Sequence, residues 1–182
     1  MRAPEKIETK RLVLRPFTKE DNNEFLNFMK TEKENINIDL RSDLQILNDP
    51  KALFTLFLNI NKKTLPILAF VILDKENNTF LGTCGLFSVK NDKSVQCFFA
   101  LLKQFRKNGF AIEAMLKLLE YAFISLEIPK IVAYIHPNSS SSWKVAERIG
   151  MKYMGHIKPN NLKSKVMLFS IEKKEYKTQR SY

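Results

Sequence analysis

Residues 97–114 read CFFALLKQFRKNGFAIEA, and their order decides the fold. An apolar run through Leu102 gives way to a basic stretch, Arg106-Lys107-Asn108-Gly109. Then Ala111, Ala114, Met115, Leu118, Leu119 and Ala122 recur at helical spacing. That helix must stop before Pro129. A loop that turns from a strand straight into a helix aims several unpaired backbone N–H groups at one spot, reinforced by the helix dipole. Such a cradle suits a diphosphate. Gly109 permits a positive φ or a close backbone approach, and small Ala111 leaves room beside the helix start. Lys103, Arg106 and Lys107 add positive charge nearby. Helices also begin after glycine-containing loops for packing reasons alone, so the segment has a structural reading as well.

Upstream, residues 7–15 (IETKRLVLR) predict a strand ending at Pro16. Thr18 with Asp21 predicts a helix N-cap, and Phe25, Phe28 and Met29 then share a face. Leu44–Leu47 and Leu53–Leu58 predict short helices broken at Asp49-Pro50. Strands follow near Ile67–Leu73, Phe80–Val89 and Ser94–Leu102, with turn residues at Lys75–Asn78 and Lys90–Lys93. Downstream, Lys130–Ile135 is a short β-rich run, and Ser142–Ile149 predicts a helix with Gly150 as its C-terminal cap. Strands near Lys152–Ile157 and Lys165–Ile171 close the chain. Strand, helix and strand across 95–135 imply a parallel pair joined by a right-handed crossover, whereas the earlier strands read as an antiparallel meander. The fold class is therefore α/β in the mixed, α+β sense: a mostly antiparallel sheet with a central parallel pair and helices on both faces, in a single domain spanning 1–182.

Composition agrees with one globular domain. The chain has 182 residues, 45% hydrophobic and 27% charged, which excludes disorder and low complexity. Cys84 and Cys97 are too few for a disulfide framework and favour a reducing compartment. The N-terminal MRAPEKIETKRLVLRP is charged where a signal peptide needs an apolar run, and no stretch approaches ~18 apolar residues. The expectation is a cytoplasmic protein, monomer or homodimer, with no membrane partner.

The formal net charge of +11 favours anionic partners such as phosphate-bearing cofactors, nucleic acid or ribosomes. Its distribution is uneven. Residues 18–50 hold eight acids against four bases, a net of −4, while residues 158–182 hold seven bases and two acids. These are either ordinary solvated faces or an acidic wall for a cationic ligand beside a basic wall for an anionic one. No G-x-x-x-x-G-K-[ST] or G-x-G-x-x-G stretch is present, so a P-loop or dinucleotide-binding domain is unsupported. Two distant histidines and no paired cysteines exclude metal-ligand spacing. His136, at a strand end, reads as a capping or packing residue.

R-x-x-G-x-A at 106–111 resembles the Q/R-x-x-G-x-G/A acetyl-CoA motif of the GNAT superfamily of N-acetyltransferases. The run FALLKQFRKNGFAIEA is similar to the Y-A-L-x-P-E-x-R-G-K-G-Y-A-T-E-A of the ribosomal-protein-alanine acetyltransferase branch. Thr9–Phe17 (TKRLVLRPF) resembles that branch's T-E-R-L-x-L-R-P, and Pro137–Met151 (PNSSSSWKVAERIGM) its P-x-N-x-x-S-x-x-V-A-E-K-x-G-M. The resemblance covers about residues 7–157. It implies a parallel pair that splays apart, with acetyl-CoA as cosubstrate lying in the gap. Backbone groups near Leu101 and Leu102 would bind the pantetheine amides, and the amides of Arg106, Lys107, Asn108, Gly109, Phe110 and Ala111 the pyrophosphate. Asn138 and Ser139 would touch the cofactor. Ser142, at the motif's serine, would donate a proton to the leaving thiolate or bond the sulfur, unless it simply caps its helix.

The implied reaction is direct attack of a primary amine on the thioester. The acceptor would be a protein or peptide N-terminus, with a ribosomal protein among the partners, or a small amine. A non-catalytic acyl-CoA-binding module and a basic ribosome- or nucleic-acid-binding protein are the alternatives. This sequence also departs from the branch. Gln96 stands where a Glu often serves as base, Lys107-Asn108 replace Gly-Lys, and Phe98 replaces a Gly, which narrows the tunnel. An α-amine, with pKa ~7.7–8.0, needs less help from a base than a lysine at ~10.4. Gln96 therefore ranks N-terminal amines above lysine side chains.

Overall fold

The computed structural model describes residues 3–32, 49–60, 68–88, 95–158 and 165–179. The predicted helix Leu44–Leu47 and turn Lys90–Lys93 lie outside them. Among the described residues the strands are β1 (Ile7–Glu8), β2 (Leu12–Pro16), β3 (Leu68–Asp74), β4 (Phe80–Ser88), β5 (Val95–Leu101), β6 (Lys130–Ile135), β7 (Lys152–Ile157) and β8 (Val166–Glu172). The helices are α1 (Asn22–Thr31), α2 (Pro50–Ile60), α3 (Phe110–Glu120), α4 (Ser140–Arg148) and α5 (Lys173–Gln179).

Period-two alternation sorts the strands onto two faces of one sheet. Leu68, Phe70 and Ile72 of β3 join Val95, Cys97 and Leu101 of β5 beneath α3, α4 and α5. Ala69, Val71 and Leu73 join Phe98 beneath α1 and α2. The sheet order is β1-β2-β3-β4-β5-β6-β8-β7, antiparallel at every step except the parallel β5–β6 pair. The expected mixed sheet with helices on both faces is therefore present.

Eight phenylalanines (17, 25, 28, 54, 57, 80, 87 and 98) knit the α1–α2 face. Phe25 and Phe57 meet edge to face at 5.7 Å, and Phe57 stacks on Phe98 at 5.8 Å with 25° between rings. Burying each ring contributes roughly 2 kcal/mol, and favourable pair geometry adds about 0.5–1.5 kcal/mol.

Three local details differ from the sequence reading. Residues 7–15 are not one strand, because Thr9 N–H donates to Leu12 O (2.9 Å) and Leu12 N–H to Thr9 Oγ1 (2.8 Å), folding the segment back as an antiparallel β1–β2 pair. The helix expected at Leu53–Leu58 is α2, which begins earlier, directly after Asp49. Asp49 Oδ1 accepts from Lys51 N–H (2.9 Å) and Ala52 N–H (3.2 Å), and Pro50 takes the first helical position, where no N–H is needed. Beyond the last strand, α5 forms where Glu175 reaches back to Glu172 N–H (3.1 Å), half of a capping box.

The cap at Gly150 follows the expected pattern: φ is +91°, with bonds from Gly150 N–H to Glu147 O (2.9 Å) and Met151 N–H to Ala146 O (3.0 Å). Gly85 has a different role. It lies opposite Phe98 in the β4–β5 register, and a Cβ there would stand 2.2 Å from both Phe98 Cε1 and Leu68 O. The missing side chain is the seat of the Phe98 ring. Gly85→Ala should destabilise the fold by about 1–3 kcal/mol. Phe98→Leu should relieve only part of that loss, because the Leu68 carbonyl is backbone. Chemical denaturation of the single and double variants checks this, and full recovery in the double variant would refute it.

Candidate functional site

The parallel strands pair at only two positions, Val95 with Ile131 and Gln96 with Val132. Past these both strands continue, β5 to Leu101 and β6 to Ile135, so they part. On β5, Leu102 N–H donates to Leu81 O on the β4 side (2.9 Å). An antiparallel strand alternates the direction of its polar groups, so those of Phe99 and Leu101 face the gap.

The gap is a cavity of about 50 Å³ lined by Gln96, Phe98, Tyr134, Ser142 and neighbours. It meets a larger groove of about 830 Å³ between the start of α3 and the face of α4. Phe99, Ser139 and Ser142 line both.

At the α3 start, Gly109 occupies the N-cap with φ +80°, and the first intrahelical bond is Glu113 N–H to Gly109 O (3.0 Å). The amides of Phe110, Ala111 and Ile112 precede it and are the helix's orphan donors. Lys107 also has a positive φ, +66°, which disfavours any residue with a Cβ. This strain falls where the resembled motif carries glycine.

The groove brings together Leu101, Arg106, Lys107, Gly109, Phe110, Ala111, Ser139 and Ser142 of the residues singled out from the sequence. Three others are not brought there. Leu102 has its N–H on the β4 side, Asn108 turns its carbonyl to Arg11 Nη1 (3.1 Å), and exposed Asn138 gives its N–H to His136 Nδ1 (3.3 Å). Arg106 reaches the groove, but its amide is held by Lys103 O (3.3 Å) and its Nε by Leu101 O (2.9 Å).

Ser142 is not the helix cap. Ser139 holds that position, and the Ser142 hydroxyl lies 3.1 Å from the Ser139 hydroxyl. Tyr153, 46% exposed, packs its ring on Phe169 at 5.4 Å and brings its hydroxyl to 2.6 Å from His156 Nδ1. His136 acts as a turn partner, accepting from Asn138 N–H. Both cysteines are buried in the core. Burial pushes the Cys97 thiol up to about 12, leaving it un-ionised.

Six side chains that the sequence reading did not assign support this site. Glu32, 3% exposed at the end of α1, pairs with Arg106 Nη2 and accepts Lys103 N–H (2.8 Å). One carboxylate thus fixes the loop that leaves β5. Glu113 accepts from Thr9 Oγ1 (2.6 Å), Arg11 N–H (2.8 Å) and Arg11 Nε (2.7 Å), while the Arg11 guanidinium lies 4.5 Å over the Phe110 ring. The motif residues Thr9 and Arg11 therefore brace the α3 start. On α4, Lys144 and Arg148 sit one turn apart on the groove wall facing Lys103 and Lys107.

The acid-rich segment has other duties too. Asp21 forms a two-pronged pair with Arg15 (2.7 Å each), Glu32 is buried as described, and Asp49 caps α2. Burial raises the Asp21 carboxyl, but the Arg15 and Thr18 bonds outweigh it and hold it below its ordinary value.

A sequence profile of the GNAT acetyltransferase domain matches residues 11–152, most of the chain, so the protein belongs to that family. YkkB of Bacillus subtilis (strain 168) is 31% identical over 103 residues, 56% of this chain and 60% of that protein, so the chain matches about three-fifths of that relative's length. The acetyltransferase from Agrobacterium tumefaciens str. C58 superposes with a TM-score of 0.75 at 23% identity, covering 93% of this chain and 95% of the other. RimL, a ribosomal L7/L12 alpha-N-protein acetyltransferase in complex with coenzyme A, gives 0.73 at 15% identity, covering 92% and 98%. At these identities the likeness of the structures is one of fold. No helix among the described residues is long and apolar enough to cross a membrane.

Burial raises the Glu113 carboxyl, while the bonds from Thr9 and Arg11 overcome that and hold it below its ordinary value of 4.5. A depressed folded value means that the stabilisation is complete above the ordinary value and fades as pH falls through the lowered one. Glu113→Gln should therefore melt below wild type at pH 7, with the difference shrinking as pH falls below about 4.5. Melting curves from pH 7 to pH 3 check this, and a difference independent of pH would deny the carboxylate its ionic role.

Proposed function

We propose that the protein transfers an acetyl group from acetyl-CoA to a primary amine, with the α-amino group of a protein or peptide N-terminus as the favoured acceptor. The carrying observation is the early parting of β5 and β6 beside a helix start whose amides open onto the same groove. The groove's chemistry fits the cosubstrate: orphan amides at Phe110–Ile112 suit a pyrophosphate, and the cations of both walls suit phosphates. The gap-facing groups of Phe99 and Leu101 can pair with the pantetheine arm as an added strand would.

When bound, acetyl-CoA supplies an activated acyl carbon, to which the amine nitrogen bonds as the C–S bond breaks, leaving an amide and a thiol. The chain's own residues prepare that exchange. Gap-facing backbone N–H groups at the end of β5 can stabilise negative charge on a carbonyl oxygen. The Ser142 hydroxyl, common to gap and groove, can deliver a proton, and Ser139 beside it can replace that proton. A thiolate with pKa near ~8.5 needs only modest help, so the donor assists without being indispensable.

Gln96 is buried in the gap and holds no charge. Without a carboxylate there, an amine that is already partly neutral at pH 7 is the easier acceptor. Ribosomal-protein acetyltransferases among the structural neighbours support a protein N-terminus, and that support is one of likeness. Gln96 also favours a second reading, a CoA-binding module without turnover.

Thiol release from acetyl-CoA against α-amino peptides, polyamines and aminoglycosides separates the two. Turnover on α-amino peptides is expected, and tight CoA binding with no turnover on any amine would establish the module. Gly109→Trp should abolish acetyl-CoA binding with the fold retained, and unchanged affinity would remove the cradle assignment. Ser142→Ala should lower kcat by about 10–100-fold with little change in acetyl-CoA affinity. Normal kcat would dismiss the proton donor.

A further inference from the structure

Where the strands part, the space is small and the Phe98 ring stands in its lining. The gap cavity of about 50 Å³ is far smaller than the groove of about 830 Å³ that leads to it. About 50 Å³ accommodates one or two water-sized groups. Phe98, only 6% exposed and packed on the α1–α2 face, stands in its lining with Gln96 and Tyr134.

That ring is held on three sides. It rests over Gly85, where a Cβ would come within 2.2 Å of its Cε1. It packs against Phe87 at 4.8 Å and stacks on Phe57 of α2 at 5.8 Å. Swinging the ring aside would break these contacts and leave an apolar void above Gly85, so the wall does not yield to a longer guest. The hydroxyl shared by gap and groove, Ser142, lines the same cavity.

We propose that Phe98 is the specificity-determining residue for the acyl group, limiting the donor to acetyl-CoA and excluding chains of three or more carbons. This rests on the acyl-CoA reading above and adds to it the length of the acyl chain. Gly85, Phe57 and Phe87 act through Phe98 by fixing its ring.

The test needs no knowledge of the acceptor. Calorimetric titration of the full chain with CoA, acetyl-CoA, propionyl-CoA and butyryl-CoA should give similar affinities for the first two. Butyryl-CoA should bind about tenfold or more weakly, since one methylene too many for a hydrophobic pocket costs about 10–200-fold. In Phe98→Ala, butyryl-CoA should come within about threefold of acetyl-CoA, with CoA affinity unchanged. Phe98→Leu keeps an apolar contact over Gly85 and should fall between the two. It carries the comparison if the alanine variant does not fold. Wild-type binding of butyryl-CoA as tight as acetyl-CoA overturns the proposal, as does discrimination that survives in the variants. Failure of the wild-type chain to bind CoA itself removes the functional reading, and this inference with it.

Discussion

The brevity of the β5–β6 pairing is the constraint on which the rest of the structure depends. Two strands that run side by side for six or seven residues pair at only two positions. Buried backbone groups without partners are costly, so a sheet that opens in its middle must face water or a ligand there. Phe99 and Leu101 point their polar groups into that opening, and among the described residues Leu101 O accepts Arg106 Nε. Everything that surrounds the gap either holds it open or limits its size.

Holding it open falls to ion pairs placed at the ends of elements. Glu32 ties the end of α1 to the loop after β5, Glu113 ties the start of α3 to the β1–β2 turn, and Arg15 ties β2 to the turn before α1. Glu32 and Asp21 are almost wholly buried, and losing one partner of such a pair costs about 3–5 kcal/mol because a charge is left uncompensated. Exposed pairs such as Lys6–Glu8 and Lys174–Glu172 contribute about 0–1 kcal/mol. Of these pairs, Glu32–Arg106 and Glu113–Arg11 brace elements that line the groove.

Local features were legible in the sequence, and long-range partners were not. The β5–loop–α3 segment could be read because Gly109, Ala111 and the helical spacing after them act within a few residues. The strand alternation and the Gly150 cap were readable for the same reason. Glu32 meets Arg106 across 74 positions and Arg11 meets Glu113 across 102, and nothing in either neighbourhood distinguishes such acids from solvated ones. Asp49-Pro50 was readable as a boundary because an Asp cap followed by Pro acts within one turn, and α2 begins there. Ser142 was placed in the right helix but one turn too early in it, since four consecutive serines leave the cap position ambiguous.

Net charge alone does not mark an anion site in a lysine-rich chain, but the sorting of its cations does. Arg15 and Arg106 are matched to buried carboxylates. Lys103, Lys107, Lys144 and Arg148 are exposed on the two walls of one groove and form no ion pair among the described residues. Like charges converging on a concave surface repel one another, and salt relieves that only beyond about 8–10 Å. Such an arrangement is retained at a cost to the empty protein, and a bound polyanion reverses its sign. Glu32 and Glu113 are instead engaged with Arg106 and Arg11. The groove is therefore left electrostatically unsatisfied on the same side as the orphan amides of α3, and the two deficits call for one ligand.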